Sequence, residues 1–593
     1  MRFFNRRSDK PAHANLDQQL VFHLSKSRIP SPKQLKYAPR FLSRTERIVL
    51  SVSAALMIAG LAYVGTILYR NHIELVPKAG GTYTEGLVGN PQYINPLYAS
   101  LNGADADLER LLFSRLFTTD ALGAAVPDLA DSVIISDGEK TYTIKLKTAV
   151  WTTGEPVTAD DVVFTFGLIQ NPDFKSPLRT QFAGVTAKKI DDTTVAFMLR
   201  EPYGRFPSLL TFGIMPASLW EAVSDETMPL AEFNIKPIGS GPYQFKTLVK
   251  NRAGTIRSYT LERNPAYYGT APYLDEITFK FFPSGQEMIA ALNNGQINGL
   301  RSLPADIEDT IVAKNALAYK ELEQPGLTAA FFNLKAGLLA DVSVRRALRA
   351  AVNQTEIVTA TVGRNGHPAY SPLPSFLPGA TTEPSFDLNL AATLLDTAGW
   401  TNRSVTAEDV AKGGDFARLG QGSWRMKNDK GIILKISASE AMRPVAEALA
   451  AAWKQIGIKA DPAIAASDEA LGQMLANRQF EVVVYSENLP EGEPFPFWHS
   501  TGAGNISGYA RNDVDSWLEQ ARLTADRAAA ADRYAKFQQA IASDAPVIPL
   551  YWNTYIYPQS KKLKGMPTTA IVDPADRLNQ IGGWYVKTKR KLK

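Results

Sequence analysis

The sequence predicts an α/β protein of at least two lobes behind a single membrane-spanning helix. Three observations carry that reading. A chain of 593 residues is too long for one small core. Segments with strand-like alternation take turns with segments of helical period through most of the chain, the pattern of layered α/β folds. Finally, Ile48–Tyr69 (IVLSVSAALMIAGLAYVGTILY) runs 22 residues without a charge between Arg47 and Arg70, and a helix needs about 20 apolar residues to cross a bilayer core.

A hydrophobic content of 45% and a charged content of 21% are ordinary for a folded protein. The net charge of +5 misleads if read globally. Residues 1–47 hold eleven Lys or Arg against Asp9, Asp17 and Glu46, and the chain closes with Lys587, Lys589, Arg590, Lys591 and Lys593. The stretch between is mildly acidic, so the body lacks the basic footprint of a nucleic-acid binder, and nucleic acid is not expected as a partner. The absence of cysteine excludes disulfides, thiolate metal sites, a catalytic thiol and a lipid-modified cysteine.

The apolar run reads as an uncleaved anchor, because a signal peptide has a short basic start and an apolar core of about 7–15 residues. The flanking charge places the N-terminal side in the cytoplasm. The expected organisation is a basic, disordered cytoplasmic tail over 1–47, a transmembrane helix over 48–69 in contact with lipid, and an extracytoplasmic body.

The body opens with GGTYTEGLVGNPQYINPLYAS (80–100), an alternating strand broken into a loop by Gly and Pro. Residues 105–117 carry helical apolar spacing. TYTIKL (141–146) alternates as a strand, and the helix after it begins with Thr158 three residues ahead of Asp161, a capping box. That pattern reads Asp160 and Asp161 as helix-start acids rather than a catalytic pair. Trp151 is expected to pack inside. Further strands are expected at 193–199, after the turn IGSGPYQF (238–245), and at 276–282 before a helix over 284–292. Residues 331–351 read as strand, loop and helix, and 440–456 as an amphipathic helix stopped by Gly457. FEVVVY (480–485) is a buried strand, 515–523 and 533–541 are helical, and PVIPLYW (546–552) is a last buried strand. Residues 401–423 lack a clear period and read as a surface insertion. No phosphate-loop, GxSxG or HExxH pattern is present, so nothing marks an enzyme. Past the apolar run only His72, His367 and His499 remain, a poor set for a transition metal, and no cofactor is expected. No heptads support a dimer, so a monomer is expected.

The segments just quoted, with PDLADS (127–132), TYTIKLKTAVWTTGEPVTADDVVFTF (141–166), LERNPAYYGTAPYLDEITFKF (261–281), FFNLKAGLLADVSVRRALRAAVN (331–353), LLDTAGW (394–400) and NISGYARNDVDSWLEQA (505–521), resemble in order the extracellular solute-binding proteins of family 5. These are dipeptide, oligopeptide and nickel receptors of ABC importers. The resemblance implies a periplasmic-binding-protein-like fold of two α/β lobes with an extra subdomain in lobe one. Lobe one would span 78–322 with 551–593, lobe two 323–550, and hinges would lie near Pro325 and Pro549. It implies a receptor that closes on a short peptide and delivers it to permease subunits, with a nickel or haem receptor and a surface sensor as alternatives.

Peptide receptors of this kind place an Asp shortly after a strand ending in an aromatic, where it holds the ligand's ammonium. In VVVYSENLPEGEPFPFWHS (482–500) no Asp is present. Glu487 is the nearest substitute and Glu493 the second. Asn90, Gln92, Tyr93 and Asn95 stand in the loop expected to hydrogen-bond ligand backbone, and Tyr485 and Trp498 either wall the pocket or pack in the ordinary core.

Overall fold

Among the described residues, eleven strands of the body join in one mixed sheet. They are β1 (Thr82–Val88), β2 (Tyr243–Lys250), β3 (Ile256–Arg263), β4 (Glu276–Phe282), β5 (Gly299–Leu300), β6 (Leu317–Phe332), β7 (Gly366–Pro368), β8 (Ile433–Ala438), β9 (Lys459–Ile464), β10 (Val482–Asn488) and β11 (Val547–Ser560). Their order is β9-β8-β10-β6-β11-β5-β1-β4-β3-β2, with β7 also on β11. The computed structural model describes residues 42–592 except 224–226, 304–309, 313, 376, 378, 380–385 and 490–492. Lys78–Lys587 form one compact body.

The sheet has a block of parallel strands on each side of a central antiparallel pair. β1 runs parallel to β4 and β5, and β8 runs parallel to β9 and β10. Between the blocks, β6 and β11 pair antiparallel along almost their whole length. Their register breaks twice, between Glu323 and Leu327 and between Thr328 and Ala329, the latter opposite Tyr551 and Pro549. Each break sits at a proline, Pro325 or Pro549, which has no N–H to give to a ladder. This is a mixed α/β, two-lobed fold.

The core clusters divide along the same line. One gathers Tyr83, Leu108, Tyr259, Phe279, Tyr557 and Trp584 under β1–β4. A second fills β8–β10 with Val344, Leu348, Leu449 and Trp453 from the flanking helices. A four-stranded antiparallel sheet (Ala130–Ser136, Thr141–Leu146, Thr194–Leu199, Val185–Asp191) has its own core with Trp151, Phe166 and Phe197 and forms the added subdomain. The expected capping box forms there: Thr158 N–H donates to Asp161 at 2.8 Å, and Ala217 N–H donates to the other carboxylate oxygen. Asp160 instead pairs with Lys189 at the surface. Residues 401–423 are more ordered than an insertion without period suggests. Thr401–Val405 pairs with Gly422–Lys427, and two short helices pack between them on Val405, Leu419, Trp424 and Met426.

Beneath β1 lies a buried ion network. Arg577, with no exposed surface, donates to Glu85 and to Asp107 (2.6 and 2.8 Å), both equally buried. Arg301 Nε donates to Asp107 at 3.0 Å, and Tyr557 donates to Glu85 at 2.6 Å.

Outside the body, a helix spans Arg44–Asn71, and its stretch Arg44–Ile67 is long and apolar enough to cross a membrane, with none of its most apolar window buried. The helix starts within the region expected as tail. Ser43 N–H donates to Glu46 and Glu46 N–H donates back to Ser43 Oγ, which helps satisfy the first turn of the helix. Residues 1–41 of the expected tail lie outside the described residues.

Candidate functional site

Glu487 lies within β10, not in a loop behind it. The strand continues past Tyr485 to Asn488, and Glu487 pairs with Leu327 of β6, which pairs with Trp552 of β11. Register partners share a face of the sheet, so the carboxyl sits in an apolar row across the middle of the molecule. It is 4% exposed, and its Oε2 has no hydrogen-bond partner among the described residues. Burial pushes its pKa well above the ordinary carboxyl range. The neighbouring register position carries the polar side of the same strands. Thr328 Oγ1 donates to Ser486 at 3.1 Å, and Asn553 Nδ2 donates to Ser486 at 3.2 Å.

The other expected residues are placed differently from one another. Glu493 is buried beside the subdomain, where Arg205 approaches it at 3.9 Å. Tyr485 is half-buried on the Glu487 face and packs on the cluster beneath it. Trp498 packs as a core residue: it is 2% exposed, stacked on Phe331 with ring centroids 6.2 Å apart and set against Phe537.

The 90–95 loop is pinned by Asp105, which accepts the backbone N–H groups of Gln92 (2.8 Å) and Tyr93 (2.9 Å). Asn102 holds the Asn90 carbonyl. Asn95 is fully buried, donating to Asn234 and accepting from Leu97 N–H, so its amide serves the fold. Gln92 and Tyr93 are exposed. Burial raises Asp105 to about 6 despite those donors. Its contribution to stability is therefore complete below its ordinary value and is lost as pH rises through about 6.

A cavity of about 470 Å³ opens between the subdomain, the 521–534 region and residues 572–576. It falls within the usual range of about 300–1,000 Å³ for small-ligand clefts. None of the eight expected residues lines it. Arg205, next to Glu493, does, as do Arg110, Arg527, Tyr534, Asp573 and Asp576. Sequence reasoning missed these. The one local signal was the D-P-A-D run at 573–576, which forms a capping box.

The rim of the cavity is closed by a contact between distant segments. Gly204 N–H donates to the Arg522 carbonyl at 2.8 Å, and Ala525 N–H donates to Glu139 at 2.8 Å. The Arg522 guanidinium lies over Tyr203 and Phe495. A Cβ at Gly204 would fall 1.7 Å from the Thr524 carbonyl oxygen. Gly204→Ala is therefore expected to undock this rim. Overpacking of about 1–3 kcal/mol corresponds to about 5- to 150-fold faster exchange of the Ala525 amide in hydrogen-exchange mass spectrometry. Unchanged exchange would show that the rim does not depend on close approach at Gly204.

A two-lobed α/β body with a cleft between its parts and no gathered metal ligands among the described residues is the architecture of a solute receptor. Residues 124–508 match the family model for bacterial extracellular solute-binding proteins, family 5, and the chain belongs to that family. It is similar to the oligopeptide-binding protein AppA of Bacillus subtilis (strain 168), at 29% identity over 86% of this chain and 92% of that one. Among solved structures it is similar to the ABC transporter substrate-binding protein CtaP of Listeria monocytogenes, at 27% identity and a TM-score of 0.66, covering 86% of this chain and all of that one. It is also similar to Bacillus subtilis AppA in complex with a nonapeptide, at 26% identity and a TM-score of 0.53, with the same coverage.

Proposed function

We propose that this chain captures short peptides between its two lobes and delivers them to the permease subunits of an ABC importer, without chemistry on the ligand. Lobe one is assigned to 78–322 with 551–593, and lobe two to 323–550. The register breaks at Pro325 and Pro549 serve as hinges. The apolar helix holds the receptor at the extracytoplasmic face as a monomer, with its N-terminus in the cytoplasm.

The observation that carries the reading is the unsatisfied Glu487 carboxyl beside the Pro325 break. Among the described residues its Oε2 has no partner within the fold, and an unpaired buried carboxyl oxygen costs free energy. Leu489 N–H donates to the Pro325 carbonyl, so movement at that break would uncover the β10 end that carries Glu487. A peptide ammonium entering there gives the carboxyl a charged partner. Gln92 and Tyr93 are left to meet peptide backbone. Peptide-binding relatives support the same ligand class.

Native mass spectrometry of the full chain in detergent, after growth in peptide-rich medium, tests the proposal. Co-purifying peptide masses that leave on unfolding are expected. A chain that no peptide mixture shifts would sink it, and a bound metal or haem mass would put another solute in its place.

A further inference from the structure

The last strand of the chain, Lys587–Leu592, pairs with Ile73–Lys78 in a two-stranded ribbon separate from the other sheets. Ile73 comes two residues after the end of the Arg44–Asn71 helix. The pairing therefore draws the far end of the chain to the end of the apolar helix. Six strand residues at about 3.3 Å each keep the whole ribbon within about 20 Å of that end.

Lys589, Arg590 and Lys591 are exposed, and no acid neutralises them among the described residues. The partner strand IELVPK adds Lys78 and a single acid, Glu74. A free two-stranded ribbon is marginal on its own in water, so a surface that it can lie on would stabilise it. The helix beside it presents an apolar surface whose most apolar stretch is unburied.

We propose that this ribbon is a lipid-contact surface whose cations bind anionic phospholipid headgroups around the outer end of the helix. The inference rests on the anchor reading given above. Anionic lipid fits better than an acidic protein partner because the cations are held close to the helix end, where headgroups are the nearest anions. Attraction of this kind falls off within a Debye length, so nearness to the helix end is what makes it effective. Charge at this end does not conflict with the assigned orientation, because long domains cross the membrane largely regardless of their charge.

The chain has no cysteine, so single-site labelling is unambiguous. The experiment places an environment-sensitive dye at Thr588→Cys in the ribbon or at Ala62→Cys in the helix. The full chain is reconstituted in nanodiscs of phosphatidylcholine with or without phosphatidylglycerol. The helix dye is expected to report an apolar surrounding in both lipids. The ribbon dye is expected to shift to the blue only with phosphatidylglycerol. That shift should be lost in about 1 M salt, where the Debye length is about 3 Å, and in the Lys589→Gln, Arg590→Gln, Lys591→Gln variant. A ribbon dye that responds equally in both lipids, or that keeps its shift in the triple variant, overturns the proposal. A silent ribbon dye with a buried helix dye overturns the ribbon contact alone. A helix dye in water overturns the contact together with the anchor.

Discussion

Glu487→Gln is expected to weaken peptide binding by about 10- to 150-fold, the equivalent of losing one charge-assisted hydrogen bond of about 1.5–3 kcal/mol. The substitution keeps the shape of the side chain, so β10 and its pairing to Leu327 should persist. The effect has a pH signature. Burial raises the Glu487 pKa well above its ordinary value in the ligand-free protein, which favours the protonated form there. A ligand ammonium favours the ionised form and lowers that pKa. Binding therefore releases a proton, and affinity rises with pH between the bound and free values. In the free protein the sign is the opposite: stability from the protonated carboxyl is complete below its ordinary value and is lost as pH rises through the raised one. Calorimetry in buffers of different ionisation enthalpy reads the proton count directly. Equal affinity and an equal proton count for the wild type and Glu487→Gln would remove Glu487 from the site.

Arg577→Met should destabilise the body by about 3–5 kcal/mol, because it leaves Glu85 and Asp107 buried without a full countercharge. Arg301 keeps one contact to Asp107, and Glu85 keeps the Tyr557 hydroxyl. Burial alone would raise Asp107, but the guanidinium groups of Arg577 and Arg301 hold it below the usual carboxylate value. Its contribution is therefore present above the unfolded value and is lost as pH falls through the depressed one. Urea unfolding at neutral pH measures the loss. Combining Arg577→Met with Glu85→Gln and Asp107→Asn should recover part of it, since neither fully buried acid then carries an uncompensated charge, although Arg301 loses its ion pair to Asp107. A single variant as stable as wild type would show that water or a shifted side chain replaces the guanidinium.

Much of the secondary structure was legible because its causes are local. The alternation in TYTIKL and EITFKFF marks β strands whose observed bounds are Thr141–Leu146 and Glu276–Phe282. Thr158 and Asp161 announce their helix three residues apart, and Gly457 stops another at a φ of +77°. The site was less legible. Glu487 could be picked out by type and position, but the end of β10 could not, because its last register pair, Asn488 with Gly326, lies beside Pro325 of a distant strand, which has no N–H to extend the ladder. Trp498 looked like an aromatic available to a ligand, yet Phe331 and Phe537 come from elsewhere in the chain to enclose it. Asn95 looked like a ligand group until Asn234 arrived beside it.

Sequence alone determined the class of layers, the apolar helix and the family likeness, since hydrophobic period, capping and turn chemistry act within a few residues. Tertiary structure alone decided which acid is buried without a partner, where the cavity opens, how Gly204 meets Thr524, and that the basic C-terminus returns to Ile73–Lys78. Each of these is a pairing between segments far apart in the chain, where register and burial depend on the partner's surface rather than on the segment's own residues.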